Sequence, residues 1–197
     1  MLLAVPAVTK PVEHRAVPAT NEARSVERRT FSRATSLRGR SAAGAPQNTG
    51  PLLMPVQGFS TADIRDNFTQ PRGGGRLHGA LDIMAPRGTP VVAAVDGTIR
   101  KLFNSRAGGI SVYQFDEAEE RVYYYAHLDR YADDIAEGLF VQQGRVLGYV
   151  GTSGNAAPDA PHLHFAIEQL TPEKVWWKGT PLNPYTLLTT TPASTLP

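Results

Sequence analysis

Four of the chain's five histidines fall in three short apolar segments far apart in the sequence. A fold that uses them must bring those segments to one place. The segments are GRLHGALDIM with His78 and Asp82, RVYYYAHLDRY with His127, and PHLHFAI with His162 and His164. Each reads as β-structure, being rich in β-branched and aromatic residues or alternating apolar with polar positions. Side chains alternate between faces along a strand, so His162 and His164 project the same way and Leu163 the other. His78 and Asp82 are four apart, which keeps them on one side in a strand or a helix. In a regular strand Tyr123, Tyr125 and His127 share one face, with Val122, Tyr124, Ala126 and Leu128 on the other. Three distant strands are therefore expected to deliver side chains to one cleft.

Imidazole nitrogens and a carboxylate oxygen are the donors that bind a borderline metal such as zinc. A catalytic zinc takes about three protein ligands and keeps a position open for water. His78, Asp82, His127, His162 and His164 supply three ligands with two residues left to handle protons, a surplus that suits a hydrolase better than a structural clip. Singly, each motif is weak, because a His-x-His pair in an arbitrary strand is more often hydrogen-bonded or exposed than metal-bound. Together, in a chain with almost no other histidine, the balance reverses. No glutamate stands in an HExxH arrangement, so a histidine must serve as the base.

The formal charge of +2 hides an asymmetry. Residues 1–50 carry Lys10 and seven arginines against three glutamates, a net of +5, and residues 51–197 a net of −3. With Phe31 as its one aromatic residue, the first segment offers no core, and it reads as a disordered basic tail or linker. It could associate with an acidic envelope polymer; nucleic acid is not an expected partner. Residues 51–190 form the expected domain, and 191–197 a C-terminal tail. The absence of cysteine excludes disulfides and thiolate ligands. No apolar run approaches the roughly twenty residues of a membrane span. The opening MLLAVPAV lacks a basic flank and is broken by Pro6, so it makes a poor signal peptide.

From Pro51 onward, short strands and turn signals follow closely. Ser60 is an expected N-cap for a helical turn within Thr61–Phe68. Pro71–Arg76 is a glycine-rich loop. PVVAAVDGTIRKLF places two β-runs around Asp96-Gly97, a hairpin or tight-turn signal. Ile110–Phe115 and Arg121–Leu128 should pair across the acidic DEAEE turn. Of Trp176 and Trp177, one is expected to pack on the sheet, and a substrate platform is the other reading. The fold class is all-β: a twisted antiparallel sheet partly closed into a barrel.

With these residues in view, the sequence resembles the zinc-dependent cell-wall endopeptidases of the lysostaphin type. The likeness runs from about Pro51 to Leu188 and includes MPVQGFSTADIRDNF, GRLHGALDIMAPRGTPVVAAVDGTI, YYYAHLDRY, VQQGRVLGYVGTSGNA, PHLHFAI and PLNPY. It implies one Zn2+ per chain held by His78, Asp82 and His164 in a groove between loops, with His127 and His162 beside the metal-bound water as catalytic residues. It also implies hydrolysis of peptide cross-links in peptidoglycan, with the peptide stems as partners, at the cell envelope in a periplasmic or extracellular setting. The alternative is a non-catalytic wall-binding or regulatory relative of the same fold, against which the five intact positions argue. A biotinyl- or lipoyl-carrier-like domain, suggested by AAVDGTI and VQQGRVLGYVG, lacks an acceptor lysine in the turn and leaves the histidines unexplained. One departure is that Ala80 stands two residues after His78, where the family usually has glycine.

Overall fold

The β-rich runs of the sequence become nine strands in a computed structural model that describes residues 51–190. The expected tails, 1–50 and 191–197, lie outside the described residues. The strands are β1 (Leu81–Met84), β2 (Pro90–Val92), β3 (Gly97–Ser105), β4 (Gly109–Asp116), β5 (Arg121–Tyr131), β6 (Phe140–Val141), β7 (Val146–Val150), β8 (His162–Leu170) and β9 (Gly179–Leu182). One helix, α1 (Pro184–Thr190), follows. Its first residue is a proline, which suits the first helical position, and Asn183 Oδ1 accepts the Tyr185 amide at 3.0 Å.

All pairings are antiparallel, and the sheet runs β1-β8-β5-β4-β3-β6. The expected antiparallel, β-dominated architecture is present. Barrel closure is not: among the described residues, β1 and β6 end the path and do not pair. The sheet branches instead. One edge of β5 bonds β4 along its length, while the other bonds β8 over residues 121–126 and β7 from Leu128 onward. β8 likewise gives one edge first to β1 and then to β9.

The fork in β5 has a local cause. Between the pairs Val112–Tyr125 and Ile110–Leu128, β4 advances two residues and β5 three. The extra residue makes a β-bulge, which bends the strand and turns side chains to the opposite face. At its centre His127 adopts φ +59°, a left-handed conformation that costs a non-glycine residue about 1–2 kcal/mol. Its amide leaves the ladder and donates to the Gly108 carbonyl at 2.8 Å. The expected alternation is thereby corrected. Tyr123, Tyr125 and Leu128 enter the core, whereas Tyr124 and His127 line the cleft together.

The core gathers Leu81, Ile83, Ile99, Val112, Leu147, Val150, Leu163, Phe165 and Ile167. Burial of each such side chain contributes about 1.5–3 kcal/mol. The buried polar groups beneath β5 are satisfied: the Tyr125 hydroxyl donates to Gln114 Oε1 and accepts the Ala94 amide, both at 2.9 Å. Gln114 Nε2 donates to the Val95 carbonyl at 2.8 Å. This network pins residues 93–97 under the sheet.

Two local expectations are corrected. The runs flanking Asp96-Gly97 do not form a hairpin with each other, since β2 pairs with β7, and β3 with β4 and β6. Gly97 is required by close approach instead, because a Cβ there would run into the Phe115 carbonyl. The turn capped by Ser60 spans only Thr61–Asp63, where Ser60 and Asp63 form a reciprocal capping box. It stops at Ile64, which turns extended and is buried.

Candidate metal and catalytic site

Three strands place the first group of residues. β1 and β8 set Asp82 directly opposite His164, and β5 sets Ala126 on the other side of His164. His78 precedes β1 by one turn, made at Gly79 with φ +68°. The left-handed residue is Gly79 and not Ala80, whose methyl is simply buried, so the departure at Ala80 leaves the turn undisturbed.

The donor atoms converge. Asp82 Oδ1 lies 3.0 Å from His78 Nε2 and 2.9 Å from His164 Nδ1, and the two ring nitrogens are 3.1 Å apart. These lie a few tenths of an ångström inside the roughly 3.3–3.6 Å edges of donors sharing one tetrahedral ion at bond lengths of about 2.0–2.2 Å. The proton inventory supports a cation. The Asn67 carbonyl, 3.1 Å from His78 Nδ1, can only accept, so the proton of a neutral His78 sits on Nδ1. A lone pair on Nε2 then faces a carboxylate oxygen, acceptor against acceptor, an arrangement that a shared cation relieves. Two imidazoles and one carboxylate are a set that suits zinc.

Asn67 also accepts the Asp82 amide through Oδ1 at 3.2 Å, so one residue orients both His78 and Asp82. Arg72 holds the second carboxylate oxygen of Asp82 at 2.7 Å. Burial by itself would raise the Asp82 pKa, but the contact with the His164 and His78 rings outweighs it and holds the carboxyl far below its ordinary value.

Beside this triad stand His127 and His162, with ring centroids 4.9 Å apart. His127 Nδ1 lies 2.8 Å from the Ser153 carbonyl, and His162 Nδ1 2.8 Å from the Ala160 carbonyl. In the neutral form both therefore carry the proton on Nδ1 and keep a lone pair on Nε2. His162 Nε2 is 3.8 Å from Asp82 Oδ1, beyond hydrogen-bond reach. Burial lowers the His127 pKa, helped by the charges of His162 and His164 and opposed by the Ser153 carbonyl and Asp82. His127 is thus a neutral imidazole at pH 7.

All five side chains line one cleft of about 620 Å³, walled further by Tyr124, Arg72 and residues 155–157. Sequence reasoning placed these five; Asn67, Arg72, Tyr124 and Ser153 went unread. Arg72 lay in a segment read as a glycine-rich loop, and Asn67 acts mainly through its carbonyl, which carries no sequence signal. Ser153 Oγ donates to the Leu128 carbonyl at 2.6 Å and accepts the Ile110 amide at 3.0 Å, tying the loop before β8 to the bulge.

Residues 76–184 match the model of peptidase family M23. The chain is 36% identical over 121 residues to the DD-carboxypeptidase/endopeptidase Mpg of Neisseria meningitidis serogroup B, a match covering 61% of this chain and 25% of that protein. It is 34% identical over 100 residues to the L-Ala--D-Glu endopeptidase of Bacillus subtilis, covering 48% of this chain and 30% of that one. The chain thus spans a third or less of these relatives. Among solved structures, the catalytic domain of the prophage-encoded M23 protein EnpA from Enterococcus faecalis aligns with TM-score 0.51 and 28% identity, covering 64% of this chain and 92% of that domain. Csd3 of Helicobacter pylori aligns with TM-score 0.54 and 26% identity, covering 70% of this chain and 34% of that protein. The matched span contains all five cleft residues, and the chain belongs to peptidase family M23.

Proposed function

We propose that the protein is a zinc metalloendopeptidase that hydrolyses peptide cross-links of bacterial peptidoglycan, with His78, Asp82 and His164 holding one zinc ion. The observation that carries this reading is the meeting of Asp82 Oδ1 with His78 Nε2 and His164 Nδ1 at 2.9–3.1 Å. When bound, zinc lowers the pKa of a coordinated water toward about 7 and polarises the scissile carbonyl. Arg72 and Asn67 keep the carboxylate and the first imidazole aimed at the ion.

His127 and His162 supply the proton chemistry. Their Nε2 lone pairs are free because backbone carbonyls hold the Nδ1 protons. One accepts a proton from the attacking water, and the pair returns it to the leaving amine. An imidazole suits both directions because its pKa lies near the working pH. The depressed pKa of His127 keeps that residue in the base form. A relative named as a peptidoglycan DD-endopeptidase, beside the L-Ala--D-Glu endopeptidase, supports a cell-wall substrate and action at the cell envelope. Among the described residues no helix is long and apolar enough to cross a membrane.

The test is incubation with purified peptidoglycan of each cross-link type, followed by mass analysis of the released fragments. The expected products gain one water per cut and carry a new amine and a new carboxyl at a single bond type. Intact peptides after incubation with folded, zinc-loaded protein would overturn the reading.

A further inference from the structure

A second hollow, of about 240 Å³, adjoins the histidine cleft and shares His78, Tyr124 and His164 with it. It is a continuation of the same face of β8. Side chains at alternate positions share a face, so His162, His164, Ala166 and Glu168 form one row, and Glu168 lies about 13 Å along the strand from His164. Two residues of extended peptide with a long side chain cover that distance.

Glu168 is the chemically odd member of this hollow. Among the described residues no hydrogen bond or ion pair engages its carboxylate, although it is only half-exposed. Burial raises its pKa, and no neighbouring cation offsets that. Its walls include the aromatic rings of Tyr113, Tyr124 and Trp177, beside aliphatic side chains such as Val122 and Pro181. Trp176 packs on Phe103 and Tyr113, at centroid distances of 5.4 and 4.7 Å. Trp177 is held against Trp176 at 4.8 Å, yet remains 64% exposed beside the hollow. The tryptophan pair thus divides its work: one ring is packed, and the other borders the hollow.

An unpaired carboxylate repels anions, and a neutral apolar group placed against it would leave the charge desolvated without a partner. Aromatic faces carry negative potential and attract cations. We propose that Glu168, walled by Tyr113, Tyr124 and Trp177, is a subsite for a primary ammonium on a side chain of the peptide substrate. This rests on the endopeptidase reading, and it names a feature of the substrate that the zinc site alone does not select.

The test uses a stem tetrapeptide carrying lysine, and the same peptide with its side-chain amine acetylated. Binding to the full chain is followed by titration calorimetry. The wild type should bind the free-ammonium peptide about ten- to hundred-fold more tightly, the range of a hydrogen bond to a charged group. Glu168→Gln, close in shape, should weaken that peptide to the level of the acetylated one and leave the acetylated one unchanged. Trp177→Ala, at an exposed position, should weaken the free-ammonium peptide selectively, and serves if the first variant fails to fold. Equal affinities in the wild type, or discrimination that survives Glu168→Gln, would overturn the subsite. Cleavage of purified peptidoglycan is read separately. Discrimination without cleavage contradicts the endopeptidase reading alone, and cleavage without discrimination contradicts the subsite alone.

Discussion

His127 and Ser153 meet through a single contact, His127 Nδ1 to the Ser153 carbonyl at 2.8 Å, that depends on a bulge and a loop holding each other in place. The Ser153 hydroxyl bonds the backbone on both strands of the bulge, at Leu128 and Ile110. Gly109 lies against Ser153 with φ +62°, and a Cβ there would collide with the Ser153 side chain and backbone. Gly109→Ala combines left-handed strain with overpacking. It should cost about 2–4 kcal/mol of stability and lower turnover by releasing the His127 ring. Denaturant unfolding and a cleavage assay on one preparation check both effects.

The metal triad and its support should separate by degree. His78→Ala, Asp82→Ala or His164→Ala each removes a direct donor and should abolish stoichiometric zinc binding. Arg72→Ala removes only the partner of Asp82 Oδ2 and should weaken zinc about 10–100-fold, the usual effect of losing an outer-shell contact. Chelator competition measures the difference.

His127→Ala and His162→Ala should retain zinc, because three donors remain, and lose about 10²–10⁴-fold in turnover. If the two residues serve one transition state, the double variant should be far less than multiplicatively worse. Metal content, melting temperature and cleavage rate, read together, distinguish this from simple unfolding.

The pH dependence follows from the sign of the His127 shift. Burial, the largest cause, favours the neutral ring, so the folded pKa lies below the ordinary 6.5. His127 therefore remains a base as pH falls through 6.5, and the acid limb of kcat/KM that it governs should lie lower. Between 6.5 and the folded pKa the unfolded chain takes up a proton that the folded chain refuses, so this residue's contribution to stability declines on acidification. His127→Asn should flatten that decline. Melting curves at pH 7.5 and 5.5 for both proteins provide the comparison.

The meeting of His78, Asp82 and His164 was legible because histidine is scarce in this chain and strand alternation works for β8. His162 and His164 do share a face, and Asp82 does meet His164 across the β1–β8 pair. Alternation failed in β5, where the bulge carries no glycine and the positive φ falls on His127 itself. The packed role expected for one tryptophan belongs to Trp176. Register decides the rest. Only pairing with Val122 and Pro181 places Glu168 in the second hollow, and only a folded chain sets the Asn67 carbonyl against His78. The partial closure expected of the sheet gives way to an open, forked one for a similar reason: a forked strand and an unforked one have the same local composition.

The most direct measurement of the central claim is the activity of chelator-stripped protein on purified peptidoglycan as zinc is added back. Cleavage should be absent in the stripped protein and return in proportion to zinc, reaching a plateau at about one equivalent per chain. Undiminished cleavage by fully stripped protein, or metal bound to one equivalent with no cleavage of any cross-link type, would contradict it.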